Sequence, residues 1–133
     1  MSEHGEVTIL RGAPYFPVAD VAALGNHYES VFGFQCEYSA GDPAEFAVYS
    51  RSGCPVMLRR VSAEHRIMPN ETQGGTWDAF FWVTGVDSLF AEMTRNGADI
   101  VYAPAMQPYG MKEFAVRDPA GYVLGFGESQ SLD

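Results

Sequence analysis

The sequence is short of positive charge. Only 8 of its 133 residues are Lys or Arg, against 17 Asp or Glu, for a net charge of −9. A surface of that sign repels a nucleic-acid backbone, so no nucleic-acid partner is expected. It also concentrates small cations around itself. Cysteine is scarce: Cys36 and Cys54 are the whole complement. Two thiols cannot close a structural zinc site, and both are expected to be free. Cys36 falls in a predicted strand and is expected to be buried and inert. Long apolar runs are missing; one such as residues 79–83 is far below the roughly 20 residues of a membrane helix. The first residues carry neither a basic start nor an apolar stretch, so a cytoplasmic protein without a membrane partner is expected. There is no glycine-rich phosphate loop and no nucleophile elbow.

What is present is ordinary globular material. Hydrophobic residues are 47% and charged residues 19%, which excludes disorder. A chain of 133 residues predicts one domain, 1–133, with enough bulk for a real core.

The chain reads as two similar halves. Val18-Ala19-Asp20-Val21 corresponds to Val83-Thr84-Gly85-Val86, Gly33 to Gly97, Phe46-Ala47-Val48 to Phe114-Ala115-Val116, and Gly53 to Gly121. Ordered anchors at a steady offset are a duplication signal. Residues 8–18 read as the first strand. A helix follows, capped by Asp20, striped by Leu24, Tyr28 and Val31, and closed by Gly33. Residues 34–38, 45–50 and 55–60 read as three further strands. Residues 61–75 are polar and read as a linker or lid. The second half opens with a strand over 77–83. Its helix starts from Thr84 and Asp87, spaced like a capping box, and is striped by Val86, Leu89, Phe90 and Met93. Strands over 99–102, 112–116 and 122–127 complete it. The expected architecture is α+β: two βαβββ modules, about 7–60 and 76–128, joined by the linker.

Strand parity assigns faces. Pairing Asp118 with Gly121 across the tight Asp-Pro-Ala-Gly turn sets Val116 against Val123 and Phe114 against Gly125. The repeat then sets Val48 beside Pro55 and Phe46 beside Met57. Ala47, Val56, Leu58, Ala115, Leu124 and Phe126 back onto the helices. Tyr15, Phe46, Met57, Phe80, Trp82 and Phe114 share the other face, which has no helix to cover it. Such a face must meet another layer or a ligand. A dimer core and a ligand pocket both answer that need. Trp77 is expected on the face opposite Trp82.

Three stretches carry a family resemblance: residues 16–21, residues 27–34, and Gly110-Met111-Lys112-Glu113-Phe114-Ala115-Val116-Arg117-Asp118-Pro119-Ala120-Gly121. In this order, within a duplicated chain, they resemble the vicinal oxygen chelate superfamily of glyoxalase I, bleomycin-resistance proteins and extradiol dioxygenases. The likeness is closest to the small bleomycin-resistance branch. It implies curved mixed sheets and a homodimer that exchanges halves to form two aromatic-lined clefts. Metal-dependent members take two ligands from the first and last strand of each module. Those positions map to Ala13, Asp78, Met57 (or Arg59, its same-face alternative) and Gly125. Only Asp78 offers a suitable oxygen. His4, His27 and His65 fall on a tail, a helix and the linker, without ligand-like spacing. No metal and no cofactor are therefore expected.

The resemblance and the residues together point to a homodimer that binds a small aromatic or cationic molecule, possessing no catalytic residue. Antibiotic sequestration is the form the resemblance suggests. Tyr15, Phe46, Met57, Arg59, Asp78, Phe80, Trp82, Tyr109 and Phe114 are the candidate ligand-binding residues. Asp78 would be the polar anchor and Tyr109 would stand at the cleft mouth. Asp78 with Arg59 reads as an ion pair in a dimer cleft before it reads as a catalytic pair. His27 reads as a partly exposed helix residue. Two alternatives stay open: a glyoxalase-like lyase, isomerase or dioxygenase with relocated metal ligands, and a dimerisation module without ligand.

Overall fold

The computed structural model describes residues 6–130. His4 lies outside them. β1 (Tyr15–Val18), α1 (Val21–Ser30), β2 (Gln35–Ala40), β3 (Phe46–Arg51) and β4 (Cys54–Arg60) form the first module. β5 (Ala79–Trp82), α2 (Val86–Arg95), β6 (Asp99–Met106), β7 (Met111–Arg117) and β8 (Val123–Ser129) form the second. Each module is a four-stranded mixed sheet with its first strand parallel to its last, ordered β1-β4-β3-β2 and β5-β8-β7-β6. The α+β, twice-βαβββ reading holds. No helix among the described residues is long and apolar enough to cross a membrane.

Local chemistry explains most boundaries. Asp20 caps α1 by accepting from the Ala23 amide at 3.0 Å. Gly33 ends that helical stretch at φ +76°, a conformation that favours glycine. The expected capping box at Thr84 does not form. Gly85 is the N-cap at φ 79°, and Glu128 from β8 accepts the Val86 amide at 3.0 Å. The carboxylate thus reaches the positive end of α2 from another strand. The first strand is shorter than expected, because residues 6–14 form no ladder and β1 begins only at Tyr15. Val7, Ile9 and Leu10 are exposed there. The linker holds a short 3-10 helix, Asn70–Gln73. Cys36 is exposed on the edge strand β2, where the sequence pattern suggested burial.

One core joins the modules through their helix-bearing sides. Phe16 stacks on Tyr122 at 4.2 Å, Phe34 meets Phe81 edge-on, and the Tyr28 hydroxyl donates to the buried Asp118 at 2.8 Å. Arg51 bridges to Glu92 on α2 through two bonds of 2.7 and 3.0 Å and donates to the Phe32 carbonyl. The open faces of the two sheets are left outside this core.

The sequence register needs two corrections. In the first hairpin Val48 pairs with Met57 and Phe46 with Arg59, two residues from the expected pairing. A two-residue shift keeps side chains on the same face. In the second hairpin Phe114 pairs with Phe126 and Val116 with Leu124, one residue from the expected pairing. A one-residue shift turns one strand over relative to the other: Leu124 and Phe126 of β8 face the core as expected, and it is β7 that is inverted. The turn is the cause. Asp118 closes the loop with Tyr122, not Gly121, through an Asp118 amide to Tyr122 carbonyl bond of 2.8 Å. Gly121, at φ +96°, is the extra left-handed residue of a three-residue loop. Phe114 is therefore fully buried beneath Phe90 of α2, and Ala115 is on the open face beside Gly125. The shared Phe-Ala-Val triplet is not structurally equivalent in the two modules.

Candidate functional site

The open face of the first sheet carries Tyr15, Phe46, Val48, Met57 and Arg59. Tyr15 lies beside Met57 on adjacent parallel strands. Arg59 donates from Nε to the Tyr15 hydroxyl at 3.1 Å and its guanidinium lies 5.3 Å from the Phe46 ring centre. Its expected partner is elsewhere. Asp78 accepts from the Asn70 amide with one oxygen and from the Val123 amide with the other, both at 2.8 Å. It fastens the 3-10 helix to the start of β8, with a backbone amide on each oxygen.

The open face of the second sheet is an aromatic floor. Phe80 pairs laterally with Gly125 and Trp82 with Gly127. A Cβ at Gly125 would stand 2.6 Å from the Trp77 indole and 2.7 Å from Phe80. At Gly127 it would stand 2.7 Å from the Phe80 ring, 2.8 Å from Met111 and 3.2 Å from the Glu113 Cβ. The two glycines let the rings lie against the strand. Trp77, Phe80 and Trp82 run in series, with centroid spacings of 4.6 and 5.2 Å. Phe80 and Trp82 are where parity put them, and Trp82 is 76% exposed. Trp77 is the exception. It precedes β5 and is not bound by its alternation, so its ring shares the open face with Phe80. Phe114, expected here, is in the core.

Beside this floor, on the same sheet face, lies a polar chain that strand parity did not reveal. The Trp77 Nε1–H donates to the Tyr102 hydroxyl at 2.9 Å. Tyr102 donates to Glu113 Oε1 at 3.2 Å, and Tyr109 donates to the same oxygen at 2.7 Å. Glu113 is 2% exposed and its Oε2 has no partner. Contact with this carboxylate pushes the Tyr109 phenol up to about 12, the hydrogen bond being the largest cause. Tyr102 moves in the same direction, chiefly through burial. Tyr109 is exposed in the turn before β7. The alternation of Gly125 and Gly127 with Leu124 and Phe126 was the available signal for this face.

His27 is half-buried, its Nε2 has no partner, and burial lowers its pKa. It is remote from the aromatic floor, on α1. Two crevices lie at the seam between modules. One, of about 600 Å³, is lined by Arg51, Cys54, Trp82, Thr84, Ser88 and Glu92 among others. The other, of about 490 Å³, runs past Leu10, Pro14, Pro55, Phe80 and Trp82.

The metal-ligand positions of the fold do not fit a divalent ion. The side-by-side pairs on first and last strands are Tyr15 with Met57 and Phe80 with Gly125. A thioether, a phenyl ring and a glycine give a hard cation nothing to bind, and the Tyr15 hydroxyl, a lone oxygen, accepts from the Arg59 cation. Asp78 has both oxygens on backbone amides. Among the described residues no three His, Cys, Asp or Glu side chains converge to hold a metal.

Similarity to known proteins agrees with this fold. TioX from Micromonospora sp. ML1 is 26% identical, with 89% of this chain and 97% of that chain covered and a TM-score of 0.72. The bleomycin-binding protein from Streptomyces verticillus, solved with copper(II)-bleomycin, is 28% identical, with 95% and 99% covered and a TM-score of 0.64. A glyoxalase-related enzyme from Clostridium phytofermentans shares the fold at 17% identity, covering 92% and 97%, with a TM-score of 0.73. No curated protein matches the chain. The model of the Glyoxalase/Bleomycin resistance protein/Dioxygenase superfamily matches residues 10–126, and the chain belongs to that superfamily.

Proposed function

We propose that this chain is a cytoplasmic, metal-independent small-molecule binder of the bleomycin-resistance type. It works as a homodimer in which the open face of one chain's sheet is closed by a second copy, with the halves exchanged. A planar aromatic ligand is held between the closed faces and sequestered, not transformed. The carrying observation is the floor of Trp77, Phe80 and Trp82 laid over Gly125 and Gly127. Such a surface gains about 0.5–1.5 kcal/mol per stacked ring beyond simple area burial. The likeness to a bleomycin-binding protein supports the ligand class. Exposed Val7, Ile9, Leu10, Tyr15, Trp82 and Tyr109 support a second copy as the cover. Asp78, bonded to two backbone amides, and Phe114, buried in the core, serve as scaffold under this reading.

A thermal-shift screen of glycopeptide and other planar aromatic antibiotics tests the reading. A ligand at a hundredfold excess over its Kd stabilises by about 2.7 kcal/mol. Trp82→Ala should weaken a hit about tenfold or more. Trp77→Ala should weaken it too, because its ring shares the floor. Hits insensitive to both substitutions would place the ligand elsewhere.

A further inference from the structure

Two charged side chains are buried among the described residues, Glu113 and Asp118, and they are satisfied differently. Asp118 receives donors on both oxygens: the Ala120 and Tyr122 amides on Oδ1 and the Tyr28 hydroxyl on Oδ2. Glu113 receives both of its donors, Tyr102 and Tyr109, on Oε1. Its Oε2 is shut off from solvent with no donor at all. A carboxylate has room for about four hydrogen bonds, and buried polar groups are seldom left bare.

The strand does not need a carboxylate there. Glu113 pairs with Gly127 on one side and Ala105 on the other, which offer no side-chain partner. Around it are Phe80, Met111, Tyr102 and Tyr109, with Trp77 one hydrogen bond beyond. Rings attract a cation through their faces. One carboxylate among rings is too poor a donor set for a divalent metal. It suits an organic ammonium group, which donates directly to a carboxylate oxygen. The acidic chain raises the local concentration of such cations.

We infer that Glu113 is the anchor of a ligand-binding subsite for a protonated amine carried on an aromatic ligand. Tyr109 is its roof. It is 60% exposed, belongs to the β6–β7 connection and donates to the carboxylate at 2.7 Å. The inference rests on the reading of this sheet face as a ligand floor.

Two probes with the same ring system separate the charge from the stacking: 1-naphthylmethylamine, an ammonium at pH 7, and 1-naphthylmethanol, its neutral counterpart. The full chain should bind the amine about tenfold more tightly by calorimetry. Glu113→Gln should bring the amine down to the affinity of the alcohol and leave the alcohol unchanged. Equal binding of both probes to the unsubstituted protein would overturn the Glu113 anchor while leaving the ring floor standing. Binding of neither would remove the floor, and the anchor with it. An amine preference that survives Glu113→Gln would also overturn the inference. Should that variant not fold, the unsubstituted protein still decides. The Trp77 indole N–H resonance is linked to Glu113 through Tyr102. It should shift with both probes, which share the ring system, and clearly further with the amine; equal shifts would overturn the inference.

Discussion

The two modules have the same element order and the same strand order, yet their open faces differ in chemistry. The first turns its last hairpin in two residues, with Ser52 at φ 53° and Gly53 at φ 79° between Arg51 and Cys54. The second uses three residues, with Gly121 as the left-handed extra. The face of the first module is then built from full-sized side chains, Phe46, Met57 and Arg59. That of the second is pared back to Ala115, Gly125 and Gly127. Rings from outside the hairpin fill the space, and a carboxylate is buried among them. A duplicated scaffold thus carries one self-filled face and one face hollowed for aromatic rings.

The sharpest way to break this comparison is to refill the hollow. Gly125→Ala puts a methyl group where Trp77 and Phe80 already lie. It should cost about 1–3 kcal/mol and abolish binding of any ligand found in the screen. Met57→Ala, at the equivalent place beside Tyr15, removes bulk from an open face and should cost less in chemical denaturation. Equal costs would show that the two faces are not packed differently.

Next in size is a pH effect seated in the second hairpin. Burial pushes the Asp118 carboxyl up to about 6, against hydrogen bonds from Tyr28, Tyr122 and Ala120 that favour the anion. The unfolded carboxyl titrates near 4. Between those values the folded chain holds a proton that the unfolded chain releases. Stability should therefore rise, on the order of 2 kcal/mol, as pH falls from 7 toward 4. Two ion pairs, one within the first module and one between the modules, oppose this at lower pH. Arg11 holds Glu37 down to about 2, and Arg51 holds Glu92 below its usual value. Both contributions are lost as pH falls below the ordinary Glu value near 4.3. Melting temperature should peak near pH 5, and Asp118→Asn should flatten the rise between pH 7 and 5. A profile that falls steadily from pH 7 to 5 would contradict the assignment.

The joint between modules carries a smaller effect. Arg51 and Glu92 are each about one-third exposed, with side-chain exposures of 34% and 30%. Solvent screening reduces such a pair to about 1 kcal/mol. Glu92→Gln should lower stability by that amount, with the loss shrinking in high salt. The smallest expected change lies in the two-residue turn. Ser52→Asn suits a position with positive φ and should gain about 0.5 kcal/mol in denaturant titrations.

The modules, both helices and the family were legible because they rest on local signals. Asp20 caps α1 by its side chain, Gly33 ends the helical stretch, and apolar spacing marks each stripe. Strand parity was legible in β5, where Phe80 and Trp82 are on the open face. It also held in β8, where Leu124 and Phe126 face the core, and failed in β7 because one glycine lengthened a turn; nothing in Asp-Pro-Ala-Gly by itself distinguishes a two-residue from a three-residue loop. Phe114 was misplaced for that reason. Glu113 went unnoticed for the same reason: the wrong parity put it on the helix side with Ala115. Trp77 sits outside the ladder, where alternation gives no guidance. Asp78 was read as an anchor from its type and position. Its true partners, the Asn70 and Val123 amides, are a tertiary feature invisible in the chain.

The central claim is that these open faces are completed by a second copy of the chain. Light scattering on the purified protein at micromolar concentration tests it most directly. The expected mass is twice the 14.6 kDa of one chain, held by an interface of at least ~2,000 Å². A mass of one chain at that concentration would contradict it.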